Sequence, residues 1–111
     1  MGTVTTEDLR RGLILITLAH VNGKINHIEI RNTSNCIHDF TKFLKLENKR
    51  LEQIGEMPGT NLEMPDVGLP RLLELISAGN FSGANIEAKR IRAEMKPILL
   101  QSRHSALISR K

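Results

Sequence analysis

Residues 26–54 read NHIEIRNTSNCIHDFTKFLKLENKRLEQI. With Ile30 at heptad position a, the a positions are Ile30, Ile37, Leu44 and Leu51, and the d positions Thr33, Phe40, Glu47 and Ile54. Six of these eight are apolar, a period that belongs to a helix and not to a strand or loop. Cys36 and Phe43 at position g broaden the stripe, which favours a globular bundle over a two-stranded coiled coil. Asn26 is a natural N-cap with Glu29 completing a capping box, and Gly55 is a stop signal. Unbroken, the helix would be about 40 Å long at about 1.5 Å per residue, so other segments must pack along it. Glu47 and Asn48 mark where it could break.

Upstream, Thr5 and Asp8 form a cap for a first helix over about 6–21. Its last two turns, within the run LILITLAHV at 13–21, are apolar on nearly all sides, the pattern of a helix surrounded by others. His20 lies in that run and reads as a core histidine. Asn22, Gly23 and Lys24 turn the chain back, so the first two helices make an antiparallel hairpin. Gly23, Ile25 and Glu29 also fall at positions 6, 8 and 12 of a calcium-binding loop. Positions 1 and 3 fall on Leu18 and His20, which disqualifies it.

The run LILITLAHVNGKINHIEIRNTSNCI resembles the helix, turn and helix of TerB-like domains, the tellurite-resistance and DjlA-type helical modules. In those an apolar helix ends in Ala-x-x-Asp-Gly and an acidic residue follows; Ala19, Asn22, Gly23, Ile25 and Glu29 fill these places. The resemblance covers about 25 residues and implies an all-helical fold. The family's acidic residues are its proposed metal contacts, but here Asn22 stands where the family has Asp. The second-half echo at Gly79, Phe81 and Glu87 has no carboxylate before the glycine, so no metal site is carried over.

Downstream, EMPGTNLEMPDVGLP at 56–70 contains Pro58, Pro65, Pro70, Gly59 and Gly68, which exclude regular structure. This long connection is expected to cross the bundle with Met57, Leu62, Met64 and Val67 as apolar pegs. Pro70 opens a third helix to about 78, residues 80–85 link it to a fourth, and Ala84, Ala88, Ile91, Met95 and Ile98 make a buried stripe. Pro97 implies a kink or stop, and 99–111 a flexible basic tail.

The chain has 111 residues and a formal charge of +4, enough for one domain with a sizeable core. Residues 1–87 carry nine Lys/Arg against eleven Asp/Glu, and 88–111 seven against one. The basic end suits an acidic partner, a phosphate backbone or a solvated helical face. Three Phe with no Trp or Tyr disfavour single-strand stacking. Cys36, the sole cysteine, forms no intrachain disulfide and reads as a small buried hydrophobe. His27 and His38 share a face but lie about 16 Å apart along the axis, too far to share an ion. No apolar run is long enough to span a membrane, and Glu7 and Asp8 spoil a secretory leader; a cytoplasmic location is the expectation.

No motif for catalysis, cofactor or metal binding is recognised. Ser102, His104 and Ser105 are neighbours in the basic tail and do not make a preorganised site. The expected architecture is a single all-α bundle of four or five helices, with one long central helix and a Pro/Gly-rich crossing loop. The expected role is non-enzymatic: a small regulator or adaptor, a homodimer, that binds a protein partner through Ile37, Phe40, Phe43, Leu44, Met57 and Met64. The competing expectation is a DNA-binding regulator. Residues 70–95 resemble a helix-turn-helix whose second helix offers Lys89, Arg90, Arg92 and Lys96, though the turn reads as long and Leu75 sits where a small residue is usual.

Overall fold

The structure is a computed structural model and describes residues 4–53, 55 and 66–108. The described residues are all-helical. α1 spans Thr6–Val21, α2 His27–Gln53, α3 Leu69–Ser77 and α4 Phe81–Ile108.

Each helix begins where local hydrogen bonding favours it. The Thr5 hydroxyl accepts the Asp8 N–H at 3.2 Å while the Asp8 carboxylate accepts the Thr5 N–H at 2.9 Å. Asn26 and Glu29 repeat the exchange at 2.8 and 3.1 Å, so two of the orphan donors at each start are satisfied. Pro70 sits in the first turn of α3. Residues 80–85 are not a linker: α4 is already helical at Phe81, because Asn80 Oδ1 accepts the Gly83 N–H at 3.1 Å and caps the helix. Both interhelical turns, after α1 and after α3, bend through a glycine in the left-handed region, Gly23 at φ 72° and Gly79 at φ 78°.

α2 runs through Glu47 and Asn48 without a break. α4 runs through Pro97. Proline removes one backbone bond, to the carbonyl of Ala93, but both residues are exposed, so water can take that carbonyl. The helix therefore enters the segment expected as a tail and continues to Ile108.

The packing is a ring: α1 lies on α2 and α3, and α4 lies on α2 and α3. The largest pairing, α2 with α4, is parallel and in constant register. Glu29 accepts from the Ser82 hydroxyl at 3.4 Å, Asn32 donates to Asn85 at 2.6 Å and Arg92 to Asp39 at 3.2 Å, each pair 53 residues apart. α2 thus shares its length with α4, at 27 and 28 residues, and the molecule extends 49 × 25 × 23 Å. Ile16, Ile37, Phe40, Leu69, Leu72 and Ile91 are fully buried at the centre, with Ala84, Ala88 and Met95 of the expected stripe. Thr33, polar at a d position, is buried and donates to the Glu29 carbonyl at 2.8 Å, so it adds no orphan group.

Candidate interaction surfaces

Gly12 decides how α1 meets α3. A Cβ there would lie 2.8 Å from Leu73 Cδ2 and 3.2 Å from Ile37 Cδ1, so these two side chains press directly on the α1 backbone at that point. Beyond it the seam is open. An open cavity of about 520 Å³ runs to the two turns, floored by Leu15, Ala19, Ile76 and Phe81 and rimmed by Asn22, Lys24 and Ser77. A smaller one of about 290 Å³ lies towards the helix starts, between Asp8, Arg11, Leu73 and Glu74. Leu15 and Ser77 border both, which makes one apolar groove with charged ends.

Beside the groove, the outer face of α1 carries Ile14 at 51 % exposure, Leu18 at 54 % and Val21 at 76 %. Their spacing of four and three puts them on one stripe. The apolar run of α1 was expected to be surrounded by helices, but among the described residues only α2 and α3 pack on it, and Ile14, Leu18 and Val21 on its third side are exposed. His20 is likewise not a core residue. It is half-buried and its ring stacks on that of His27 across the turn, centroids 5.3 Å apart and planes 5° from parallel.

The residues expected to meet a protein partner lie elsewhere. Ile37, Phe40 and Phe43 are buried in the core and Leu44 is half-buried against it. They hold α2 in its own bundle, and a partner would reach them only by opening it. Met57 and Met64 lie outside the described residues.

The basic residues divide into two groups. Arg90 donates to Glu87 at 2.9 Å, to Glu94 at 3.1 Å and to the Val67 carbonyl at 3.0 Å, tying the start of α3 to α4. Its pKa is raised, first by the hydrogen bond to Glu87. Arg92 is bonded to Asp39. Both terminal nitrogens of Arg90 are thus engaged, whereas Arg92 uses only its Nε. Lys89 and Lys96 are exposed and have no ion-pair partner among the described residues. The helix-turn-helix segment itself has a shorter turn than its sequence suggests, only residues 78–80 between α3 and α4.

Cys36 is buried and its thiol is pushed up to about 12, first by burial and then by the Asp39 charge. Such a thiol is a packing group and not a nucleophile. Glu29, the acidic residue of the TerB-like pattern, has its oxygens on the Asn26 N–H and the Ser82 hydroxyl. No group of three or more potential metal ligands is found among the described residues, and no described helix is long and apolar enough to cross a membrane.

The sequence signal for the stripe was present in the run 13–21, which has more apolar positions than one buried face needs. Compared with protein-family models, curated proteins and solved structures, the chain shows no significant match.

Proposed function

We propose that this chain is a small non-enzymatic regulator or adaptor that acts by protein–protein binding and is itself a homodimer. The observation that carries the reading is the exposed stripe Ile14, Leu18 and Val21 beside the α1–α3 groove. A described surface with three large aliphatics in a row on one helix, next to an open apolar seam, is what an interaction face looks like before its partner arrives. The stripe is self-complementary. In an antiparallel α1–α1 pair about a twofold axis, Leu18 meets Leu18 of the second copy, while Ile14 and Val21, four and three residues away, meet one another. The TerB-like resemblance of the first hairpin belongs to this reading as a resemblance of sequence that implies an all-helical fold, and the crossing expected of 56–70 lies for the most part outside the described residues.

Sedimentation of the wild type and of Leu18→Glu tests it. The wild type should sediment as a dimer at micromolar concentration, and Leu18→Glu as a monomer that keeps the wild-type helical content, since Leu18 is exposed in the single chain. A wild-type monomer would remove the self-association on which the proposal rests.

The helix-turn-helix alternative has one observation in its favour, the short 78–80 turn. The engagement of Arg90 and Arg92 in ion pairs weighs against it.

A further inference from the structure

The ion pairs of α2 and α4 leave a pattern of charge that neither reading above uses. The two helices carry ten Lys/Arg and six Asp/Glu. Five of the six acids are engaged: Glu29 in a cap, Asp39 with Arg92, Glu47 with Arg50, and Glu87 and Glu94 with Arg90. Three cations are engaged with them. The other seven, Arg31, Lys42, Lys45 and Lys49 on α2 and Lys89, Lys96 and Arg103 on α4, are exposed and have no ion-pair partner among the described residues.

These seven are not scattered. At about 100° per residue, the four on α2 fall within a sector of about 60°, opposite Thr33, Ile37, Phe40 and Leu44, which face the core. The three on α4 fall within about 40°, away from Ala84, Ile91 and Met95. Because α2 and α4 are adjacent, parallel and in register, the two exposed rows run side by side along the pair, with the α4 row on the flank where Asn85 meets Asn32 of α2. Each row is about 20–27 Å long and the two axes lie about 8–10 Å apart. Only Glu52 among the acids of the pair is exposed without a partner among the described residues.

We infer that this outer face of α2 and α4 is a docking surface for the phosphate backbone of double-stranded nucleic acid, bound without regard to sequence. A duplex is a linear polyanion with a charge about every 1.7 Å of axis, and two straight rows of cations match such a line along their whole length. Five of the seven are lysines, which serve as point charges and not as base-reading forks. The scarcity of aromatics offers no stacking platform for single strands. A bilayer surface would call for a continuous apolar strip among the cations, whereas the exposed Ile28, Ile86 and Leu100 stand singly. No residue of the α1 stripe belongs to this surface, so the two proposals are tested by different variants.

Anisotropy of a short labelled DNA duplex of arbitrary sequence, titrated with the full chain over a range of salt, tests the inference. If four or five of the cations meet phosphates, log affinity should fall with log salt at a slope of about −4, a loss of several hundred-fold between about 50 and 200 mM. Lys42→Glu combined with Lys45→Glu and Lys96→Glu should weaken binding at least about 100-fold at low salt while leaving the melting profile in place. Arg90→Ala and Leu18→Glu should leave duplex affinity unchanged. Absence of binding at low salt overturns the inference. So does a loss in Arg90→Ala as large as in the triple variant, which would return the contact to the helix-turn-helix, and so does binding to phosphatidylserine vesicles without binding to the duplex. Failure here with Leu18→Glu still monomeric and the wild type dimeric would leave the proposed function standing.

Discussion

α1 with α3 and α2 with α4 are the two halves of one ring, and they solve the same packing problem differently. The first pair is short, balanced in charge, with Glu7, Asp8 and Glu74 against Arg10, Arg11 and Arg71, and open to solvent along its seam. The second pair is long, tied by three polar contacts at constant offset, and presents unmatched cations. Apolar surface left uncovered on one side and charge left uncompensated on the other are both features that folding alone does not require. The α2–α4 pair is therefore the frame, and the α1–α3 pair is the side whose surface is incompletely covered by the described residues.

The sharpest way to break this contrast is to cut one apolar side chain from each half. Phe40→Ala should destabilise the fold by about 3–5 kcal/mol in urea unfolding, close to the whole stability of many domains of this size. Leu18→Ala, measured at a dilution at which the chain is monomeric, should stay within about 0.5 kcal/mol, since the side chain is half in water in the single chain. Equal effects would mean that Leu18 is packed like a core residue within the single chain and that the two sides do not differ.

Next comes the point where the halves touch. Gly12→Val would drive its methyls into Leu73 and Ile37, and the expected loss is about 1–3 kcal/mol, the usual range for overpacking. A valine at Ile14, two residues on and facing solvent, should change stability by less than about 0.5 kcal/mol. Urea midpoints of the two variants measure the difference.

A smaller effect lies in the cap of α1. Thr5→Ala should cost about 1 kcal/mol, and it should also change the response to acid. The Asp8 pKa is lowered, chiefly by its bond to the Thr5 N–H and then by the Thr5 side chain. A carboxyl whose folded pKa is depressed adds stability above its unfolded pKa, and that increment is lost as pH falls through the folded value. The wild type should therefore lose part of its advantage over Asp8→Asn below the ordinary carboxylate range, while Thr5→Ala shows a weaker acid dependence. Melting profiles as a function of pH read this directly.

These comparisons also show where the sequence was legible. The stripe Ala84, Ala88, Ile91 and Met95 and the capping boxes at Thr5 and Asn26 could be read because each rests on neighbours within one or two helical turns. Asn80 is not legible as a cap, because Ser82 and Gly83 are weak helix formers and the cap outweighs them only when Phe81 and Ala84 have something to pack on. Ile37, Phe40 and Phe43 are apolar whether they meet α4 or a second chain; periodicity reports that a face is buried and not by what. The groove was hidden altogether, because it depends on Gly12 drawing α1 onto α3 across more than sixty residues of chain. The cationic face was half visible: Lys89 and Lys96 stood out in the basic end, but Arg31, Lys42, Lys45 and Lys49 joined them only once the parallel register of α2 and α4 aligned the rows.

The least invasive test disturbs no contact at all. Cys36 lies inside the α2–α4 half, its thiol pushed up to about 12 by burial, so at neutral pH it reacts only when that half opens. Were the two halves separate units of stability, destabilising α1 by Gly12→Val would leave Cys36 protected, since α2 and α4 would stay paired through Asp39–Arg92 and Asn32–Asn85. Thiol labelling would then keep its wild-type rate although the urea midpoint falls. Were the ring one cooperative unit, labelling would speed up by the factor that the lost stability dictates, about tenfold for each 1.4 kcal/mol. Cooperative behaviour is the expected outcome, because Ile37 meets Gly12 on one side and shares the buried core with Phe40, Ile91 and Met95 on the other. A fold change in labelling that tracks the urea result would show that the uncovered side of α1 is a property of the surface alone, and that beneath it the two halves share a single core.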